Sequence, residues 1–239
     1  MVAEFHTFSV QHFGILFLLT GIATVLIRKG RQLDDEEKFK LALIIAGITF
    51  SFEIIEALVL SVQGHYDYRV DLPLFLCDLS AVILPFVLLR KNRKWIGILY
   101  FWTMAGTLQA LITPDLEKGF PSFEYFRYFT MHGGIVIAIL YTIIVFKIRI
   151  NWRDLIQAVL YAQVYLVCIH LINQVLQTNY SYTIQKPAGA TILNYFGPWP
   201  WYIMWGEVLM LVLFLVLLLP FILFRPSVTV EEQEVFVND

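Results

Sequence analysis

The sequence predicts an all-α membrane protein in which seven transmembrane helices form one polytopic bundle. Composition is the first observation behind this prediction: 59% of the 239 residues are hydrophobic and only 15% are charged, with a mean hydropathy of +0.70. These values lie outside the range of soluble globular proteins. A spanning helix needs about 20 mainly apolar residues, and seven stretches, segments 1 to 7, satisfy this requirement. They are 8–27, 39–62, 72–89, 95–113, 127–147, 153–176 and 201–224.

The distribution of basic residues is the second observation. Lys and Arg cluster after segments 1, 3, 5 and 7, and only four of the 17 lie on the other side: Arg69, Lys118, Arg127 and Lys186. Because Lys and Arg accumulate in short cytoplasmic loops, this alternation places the N-terminus outside and the C-terminus in the cytoplasm. An even number of helices would break the alternation, so the charges also support seven.

Signals at the ends of the segments support each assignment in turn. Segment 1 has its basic residues after the apolar run, so it is a retained helix and not a signal peptide. Segments 2, 4 and 6 each follow a basic connection. Segment 5 follows the loop 114–126, and segment 7 follows the loop 177–200, both of which are rich in Pro, Gly and aromatic residues. Rigid prolines and interfacial tryptophans predict that these loops fold over the bundle as a cap.

The chain therefore reads as one transmembrane domain, 1–224, followed by a short acidic cytoplasmic tail, 225–239. No fixed-period repeat is visible. The basic residues are used for topology, so they form no patch for nucleic acid. The two cysteines define no disulfide framework or zinc-ligand spacing, and no metal-binding motif is present. We expect no metal and no cofactor, and we expect membrane lipids as the partners.

Twelve polar or ionisable residues interrupt the apolar segments, and the predicted topology places nearly all of them in the half of the membrane that faces away from the cytoplasm. A charge at bilayer depth costs roughly 2.5 to 3.5 kcal/mol, so these residues are expected to share one polar cavity. The cytoplasmic halves are almost entirely apolar, which favours a blind cavity over a pore. The twelve residues are His12, Glu53, Glu56, Cys77, Asp78, Gln109, Arg127, His132, His170, Asn173, Gln174 and Glu207.

Cys77, Asp78 and His132 are the candidate catalytic residues. Cys77 and Asp78 lie about five residues into segment 3, on the order of 8 Å below the outer boundary at 1.5 Å per residue, and His132 has a similar depth. A cysteine becomes a nucleophile when a neighbouring base or positive charge favours its thiolate. Two alternatives remain open from the sequence: Cys77 as a small buried apolar residue, and a disulfide between Cys77 and Cys168.

The other polar residues are candidates for substrate binding. Glu53 and Glu56 are three residues apart and therefore share one helix face, where they either pair with a cation such as Arg127 or line a wet cavity. Hydrogen bonding between helices is the alternative for the Asn and Gln residues. The candidate binding residues are Glu53, Glu56, Gln109, Arg127, His170, Asn173 and Glu207.

Several strings in this sequence resemble those of a known family. They include Leu76-Cys77-Asp78-Leu79, Gln109-Ala110-Leu111-Ile112-Thr113-Pro114-Asp115, Tyr125-Phe126-Arg127-Tyr128, His132-Gly133-Gly134 and Gly197-Pro198-Trp199-Pro200-Trp201. Together they resemble the YwaF-like family of bacterial integral membrane proteins. That family is similar to a eukaryotic transmembrane family for which cysteine-dependent acyl transfer to ether phospholipids has been proposed. The resemblance implies a bacterial plasma membrane, with Cys77 as acyl acceptor and His132 as base.

Three hypotheses for function follow from these observations. The first is a thiol acyltransferase or another lipid-modifying enzyme in which His132 activates Cys77, a carboxylate orients His132, and Gln109 or Arg127 stabilises an oxyanion or a lipid phosphate. The second is a transporter or receptor for a small solute, with Glu53, Glu56 and Asp78 as coupling or binding groups. The third is a structural partner in the envelope. Replacement of Cys77 separates the first hypothesis from the other two.

Overall fold

Seven helices make up most of the chain in the structure, a computed structural model that describes residues 4–187, 191–224 and 236. The all-α membrane fold is thereby confirmed: six of the helices are long and apolar enough to cross a membrane, and the third is a shorter apolar helix. Their bounds are α1 Val10–Gly30, α2 Asp35–Val62, α3 Leu76–Leu89, α4 Arg93–Ile112, α5 Phe123–Val145, α6 Trp152–Leu176 and α7 Trp201–Leu223.

Helices α1, α3, α5 and α7 all begin at the same end of the bundle, which we call the N-terminal end. The sequence predicts that this end faces away from the cytoplasm, and this orientation stays a prediction. The predicted acidic tail, 225–239, lies outside the described residues except for Phe236, whose ring packs against Phe146 with the centroids 5.2 Å apart.

Most helices begin at a side chain that caps the first turn. The caps of α1, α2, α4, α5 and α6 are Ser9, Asp34, Asn92, Ser122 and Asn151, and each accepts a hydrogen bond from a backbone N–H of its helix. Such caps satisfy N–H groups that have no acceptor within the helix. Helices α3 and α7 differ, because they begin after Phe75 and Pro200 and have no side-chain cap.

Helix α5 lies at the centre of the bundle and packs against α1 and α2 through two adjacent glycines. A Cβ atom on Gly133 would lie 2.8 Å from the Leu19 side chain of α1, and one on Gly134 would lie 2.3 Å from Oγ1 of Thr49 in α2. At either position an added side chain would therefore force the neighbouring Leu19 or Thr49 side chain to move. The small residues allow the backbones to approach closely, as is typical of helix contacts in membranes.

Helix α3 is shorter than the sequence predicts. The sequence predicts a helix from residue 72, whereas α3 begins at Leu76 and has 14 residues. Its length is therefore only ~21 Å. The preceding residues are held by tyrosine hydroxyls instead: Leu72 N–H donates to Tyr180 and the Leu74 carbonyl accepts from Tyr165, at 2.9 and 2.8 Å. Non-helical backbone at membrane depth needs such partners. Cys77 and Asp78 therefore lie in the first turn of α3.

Helix α4 contains a short π-helical turn at Thr103–Thr107, between two α-helical parts, Arg93–Trp102 and Leu108–Ile112. A π-turn shifts the register of the side chains that follow it, and such turns occur often at functional sites. Hydrophobic periodicity in the sequence gave no sign of this turn. It brings the hydroxyl of Thr107 towards the first turn of α3.

The loop between α6 and α7 folds back over the N-terminal end of the bundle. Tyr202 donates a hydrogen bond to the Tyr182 carbonyl at 2.6 Å, and the Trp199 indole N–H donates to the Thr183 carbonyl at 3.2 Å. Short 3-10 turns at Tyr180–Tyr182 and Ile192–Phe196 shape the loop further. In its described parts, 177–187 and 191–200, the loop is thus a folded cap, as the sequence predicts.

Candidate functional site

Cys77 is the second residue of α3 and is partly exposed as a residue, and its thiol is free. The hydroxyl of Thr107, in the π-turn of α4, donates a hydrogen bond to its sulfur at 3.4 Å. Cys168 is also a free cysteine and is exposed on α6. The disulfide that the sequence left open is therefore not formed, and the Cys77 thiol is available for chemistry.

Carboxylates from two helices converge next to Cys77. Asp78 follows it in α3, and Glu53 of α2 lies within electrostatic range of both Asp78 and the thiol. Oε1 of Glu53 is buried and has no hydrogen-bond partner among the described residues. These side chains do not build a metal centre, because the described residues contain no group of three His, Cys, Asp or Glu arranged to hold a metal ion.

Arg127 of α5 supplies the positive charge of this site. Its Nε atom forms an ion pair with Oε1 of Glu56 at 2.7 Å, and both side chains are about a quarter exposed or less. The charge of Arg127 also acts on Glu53 and Asp78. The structure thus brings together five residues that the sequence selected: Cys77, Asp78, Glu53, Glu56 and Arg127.

His132 is buried on α5, one turn along the helix from Tyr128. Its ring stacks on the Tyr128 ring with the centroids 4.2 Å apart, and Nδ1 donates a hydrogen bond to the Tyr128 carbonyl at 3.0 Å. This bond assigns the proton to Nδ1 and leaves Nε2 with its lone pair. Among the described residues, no hydrogen bond joins His132 to Cys77, whose sulfur instead bonds to Thr107.

Two tyrosines complete the surroundings of the thiol, and sequence reasoning missed both. Tyr128 donates to the Ala110 carbonyl at 2.8 Å and lies within electrostatic range of Cys77. Tyr165 of α6 donates to the Leu74 carbonyl at 2.8 Å and shares a hydrogen bond with Ser181 of the cap. The Tyr165 hydroxyl thus holds irregular backbone next to the site, while the Tyr128 hydroxyl bonds a carbonyl in the last turn of α4. Tyrosine in an apolar segment looks like an aromatic-belt residue, so the sequence offered no signal for this role.

Asn173 connects the cap to the helices. It is 1% exposed, its amide nitrogen donates to the Tyr180 carbonyl and the Thr183 hydroxyl, and its oxygen accepts from the Tyr180 N–H and the Thr178 hydroxyl, all at 2.6 to 2.8 Å. Every polar atom of this amide is therefore used inside the protein. The sequence proposed Asn173 as a binding residue, whereas its hydrogen bonds describe a positioning residue.

Tyr180 extends this connection to the loop that precedes Cys77. Its hydroxyl donates to the Tyr68 carbonyl at 2.8 Å and accepts from Leu72 N–H at 2.9 Å, and its ring packs edge-on against Phe75 with the centroids 5.1 Å apart. Burial raises the pKa of Tyr180 above its ordinary value, so the hydroxyl keeps its proton and remains a donor. The cap thus fixes the start of α3, where Cys77 lies.

The remaining predicted binding residues lie elsewhere. Gln109 is exposed near the end of α4. His170 accepts a hydrogen bond from Gln174 at 3.1 Å on the same helix, and Glu207 accepts one from Gln163, which joins α6 to α7. His12 is fully buried and bonds the Leu111 carbonyl at 2.8 Å, as expected for a polar anchor of the N-terminal end.

A bundle of membrane-spanning helices with a free thiol, carboxylates and an arginine gathered at one end defines a multi-pass membrane protein with a polar internal site. Comparison with known families agrees with this class. The chain belongs to the TMEM164 family, whose family model matches residues 7–218. No curated protein and no solved structure matches it significantly.

Proposed function

We propose that this protein is a membrane-embedded enzyme that transfers an acyl chain from one membrane lipid to another through a thioester on Cys77. One observation carries the proposal: a free thiol lies in the first turn of α3, which has no side-chain cap, and accepts a hydrogen bond from Thr107 at 3.4 Å. The resemblance of the Leu76-Cys77-Asp78 string to the YwaF-like family supports the same assignment.

The thiolate is the reactive form of Cys77, and it must form in spite of burial and the neighbouring carboxylates Asp78 and Glu53. Two features of its position stabilise the anion. The N-terminus of a helix carries a partial positive charge that stabilises a nearby anion, and no cap side chain of α3 competes for the first-turn N–H groups. The Thr107 hydroxyl, which donates to the sulfur, stabilises negative charge there as well. The neighbouring carboxylates oppose both effects, so Arg127, which is paired with Glu56, is needed to limit the negative charge of the site.

The thiol proton needs an acceptor, and two groups qualify. His132 presents the unprotonated Nε2 of its ring, since Nδ1 is bound to the Tyr128 carbonyl. Glu53 presents an oxygen that has no partner in the described part of the chain. We assign the proton to His132, because its Nε2 has a free lone pair and histidine is the most common general base in enzymes. No hydrogen bond joins His132 to Cys77 among the described residues, so this assignment requires a rearrangement of the side chains during the reaction.

The reaction proceeds in two balanced steps. In the first, the Cys77 sulfur attacks the ester carbonyl of a donor lipid, a C–S bond forms, the ester C–O bond breaks, and the proton held by the base passes to the departing lyso-lipid oxygen. In the second, a hydroxyl of the acceptor lipid gives its proton to the base and attacks the thioester, a C–O bond forms, the C–S bond breaks, and the proton passes from the base to the sulfur, which restores the thiol. The first-turn N–H groups of α3, which lack helical acceptors, would stabilise the oxyanion in both steps.

The resemblance also leads us to propose a location and an orientation. We place the protein in a bacterial plasma membrane with its N-terminal end, and therefore Cys77, on the non-cytoplasmic side. The alternation of basic loops supports this orientation. A site at that depth would receive lipids laterally from the outer leaflet.

Acyl transfer in proteoliposomes tests the proposed function. Purified protein is reconstituted with a phospholipid that carries an isotopically labelled acyl chain and with an unlabelled lyso-phospholipid, and product lipids are measured by mass spectrometry. We expect labelled product with the wild type and background levels with Cys77→Ala. Cys168→Ala, which removes the other cysteine, is the matched control and should keep wild-type activity. Equal activity in Cys77→Ala and the wild type would contradict the proposal.

A second pair of variants identifies the base. We expect His132→Gln to lower the transfer rate by about 10² to 10⁴-fold, the usual range for loss of general acid–base catalysis, with a much smaller effect of Glu53→Gln. The reverse order of the two effects would assign the proton to Glu53. Each variant is first checked for correct folding by its elution volume in detergent and by its unfolding midpoint.

One observation favours a second candidate, a site that binds a small solute together with a proton. The carboxylate of Glu53, with its unpartnered oxygen, lies near Asp78 and the Glu56–Arg127 ion pair, and such groups mark proton relays in transporters. This candidate predicts that Cys77→Ser retains function while Glu53→Gln abolishes it. The lipid assay separates the two candidates already with the wild type, because a solute-binding protein would transfer no acyl chain.

A further inference from the structure

An apolar groove opens between α7 and the π-turn of α4, beside the start of α3. It has a volume of about 230 Å³. All the side chains that line it are apolar, and two glycines leave its walls open; the main residues are Leu76, Trp102, Gly106, Gly206, Met210 and Phe214. The one polar atom among them, the indole nitrogen of Trp102, donates to the Ala158 carbonyl of α6 at 3.1 Å, so it does not serve the groove.

The two glycines of the groove differ from the packing glycines of α5. A Cβ atom on Gly106 or Gly206 would have no other atom within 4 Å, whereas one on Gly133 or Gly134 would clash. Glycine in membrane helices usually allows two backbones to approach closely, and here no backbone takes up the space. These glycines therefore keep an open volume between α4 and α7.

The groove lies beside the thiol. Leu76 in its wall directly precedes Cys77, and Gly106 in its wall directly precedes Thr107. Cys77 and Thr107 are themselves joined by the 3.4 Å hydrogen bond between sulfur and hydroxyl. The two walls thus come together close to the sulfur, although Cys77 and Thr107 do not line the groove themselves.

The chemistry of the walls restricts what can occupy the groove. A polar headgroup would find no hydrogen-bond partner on these walls. The volume of about 230 Å³ is also below the ~300 Å³ at the lower end of pockets that enclose a drug-sized ligand. A hydrocarbon chain needs no polar partner, and because the groove is open, such a chain can lie in it over part of its length.

We propose that this groove binds one acyl chain of a membrane phospholipid and directs its ester carbonyl to Cys77. The inference rests on the proposed acyl transfer, because it names the substrate position of that same site. Among the residues of α7 that line the groove, Gly206 is nearest to the start of the helix, and Cys77 lies at the start of α3 at the same end of the bundle. A chain that extends from Cys77 into the groove therefore needs the open space that Gly206 provides.

Gly206→Leu tests this inference, with Gly21→Leu as the matched control. Gly21 lies on the exposed side of α1 and, like Gly206, has no atom within 4 Å of an added Cβ, so both variants should fold. Each is assayed for acyl transfer in proteoliposomes. We expect Gly206→Leu to lower the transfer rate at least about tenfold, the lower end of the range for a steric mismatch in an apolar pocket. Gly21→Leu should keep the wild-type rate.

A binding measurement separates this inference from the proposed chemistry. Cys77→Ala protein is irradiated with a phospholipid that bears a photoreactive group at the end of one acyl chain, and labelled peptides are identified. We expect label on the peptide that contains Gly206 and Met210, and at least tenfold less label after the added change Gly206→Leu. Even labelling of all lipid-facing helices, or no label in the groove while wild-type Cys77 still becomes acylated, would overturn the inference. Groove labelling without acylation of Cys77 would overturn the proposed function alone.

Discussion

At the residue scale, the stability of the N-terminal end depends on a few side chains whose polar atoms are fully used. Asn173 is the clearest example, because its side-chain amide makes four hydrogen bonds to Thr178, Tyr180 and Thr183 of the cap. Leaving a buried donor or acceptor without a partner costs more than the bond itself contributes. The residues that position Cys77 are thus as important to the site as the residues that surround it.

We expect Asn173→Ala to lower the free energy of unfolding by about 3 kcal/mol, because the change leaves groups on Thr178, Tyr180 and Thr183 without partners. Gln174→Ala is the control: this exposed neighbour makes one hydrogen bond, to His170, and its loss should cost less than about 0.5 kcal/mol. Unfolding in mixed micelles measures both. Equal effects of the two changes would show that the amide of Asn173 does not hold the cap.

The Glu56–Arg127 ion pair gives a second prediction at this scale. The 2.7 Å contact is partly shielded from solvent, so removal of either charge leaves the other at a position where it is costly. We expect Glu56→Gln and Arg127→Gln each to destabilise the protein, and the double variant to cost less than the sum, with a coupling of about 1 to 2 kcal/mol. A double-mutant cycle in micelles measures the coupling. Simple additivity would mean that the pair contributes nothing to folding.

At the element scale, two features matter most: how closely α5 packs against its neighbours, and where α3 begins. The glycine pair of α5 fixes its distance from α1 and α2, while tyrosine hydroxyls and the cap fix the point at which α3 begins. The π-turn of α4 connects the two regions, because it presents Thr107 to Cys77 and leaves Gly106 in the wall of the apolar groove. The site is therefore assembled at irregular points of otherwise regular helices.

Gly134→Ala tests the close contact between α5 and α2. The added methyl group would lie 2.3 Å from Oγ1 of Thr49, so we expect the helices to separate and the free energy of unfolding to fall by about 1 to 3 kcal/mol. Gly47→Ala on α2, where no atom lies within 4 Å, should be neutral or slightly stabilising. Thermal unfolding in detergent compares the two, and adding Thr49→Ala to Gly134→Ala should recover part of the loss.

Hydrophobic length and the position of prolines and charges predicted six of the seven helices to within a few residues. They failed at the start of α3 because residues 72–75 are as apolar as a helix, and only the distant Tyr165 and Tyr180 show that this backbone is not helical. The sequence predicted only part of the site. Charged residues inside an apolar segment are easy to recognise in a sequence, whereas nothing in a sequence shows which tyrosine and threonine hydroxyls will form hydrogen bonds around Cys77.

At the scale of the whole molecule, polar chemistry is concentrated at the N-terminal end, while the other end is tied by structural contacts. There, Arg93 forms a two-point ion pair with the buried Asp154 at 2.8 and 2.9 Å and joins α4 to α6. The middle of the bundle is apolar and tightly packed around α5. This division fits a blind site that opens towards one leaflet.

The predicted orientation is tested with single cysteines in a chain that carries Cys77→Ala and Cys168→Ala. Gln32 and Gln185 are exposed in connections at opposite ends of the bundle. We expect an impermeant maleimide to label Gln185→Cys on intact cells and to label Gln32→Cys only after the membrane is opened, because basic loops stay in the cytoplasm. Labelling in the opposite order would place the site in the cytoplasmic leaflet.

The central claim is that Cys77 carries an acyl chain during the reaction, and mass spectrometry of the intact protein tests it most directly. Purified protein is incubated with donor phospholipid alone, so that the second step has no acceptor, and is measured before and after neutral hydroxylamine, which cleaves thioesters. The account predicts one acyl adduct on the wild type and on Cys168→Ala, lost with hydroxylamine, and none on Cys77→Ala. An adduct that persists in Cys77→Ala, or acyl transfer without any adduct on Cys77, would contradict it.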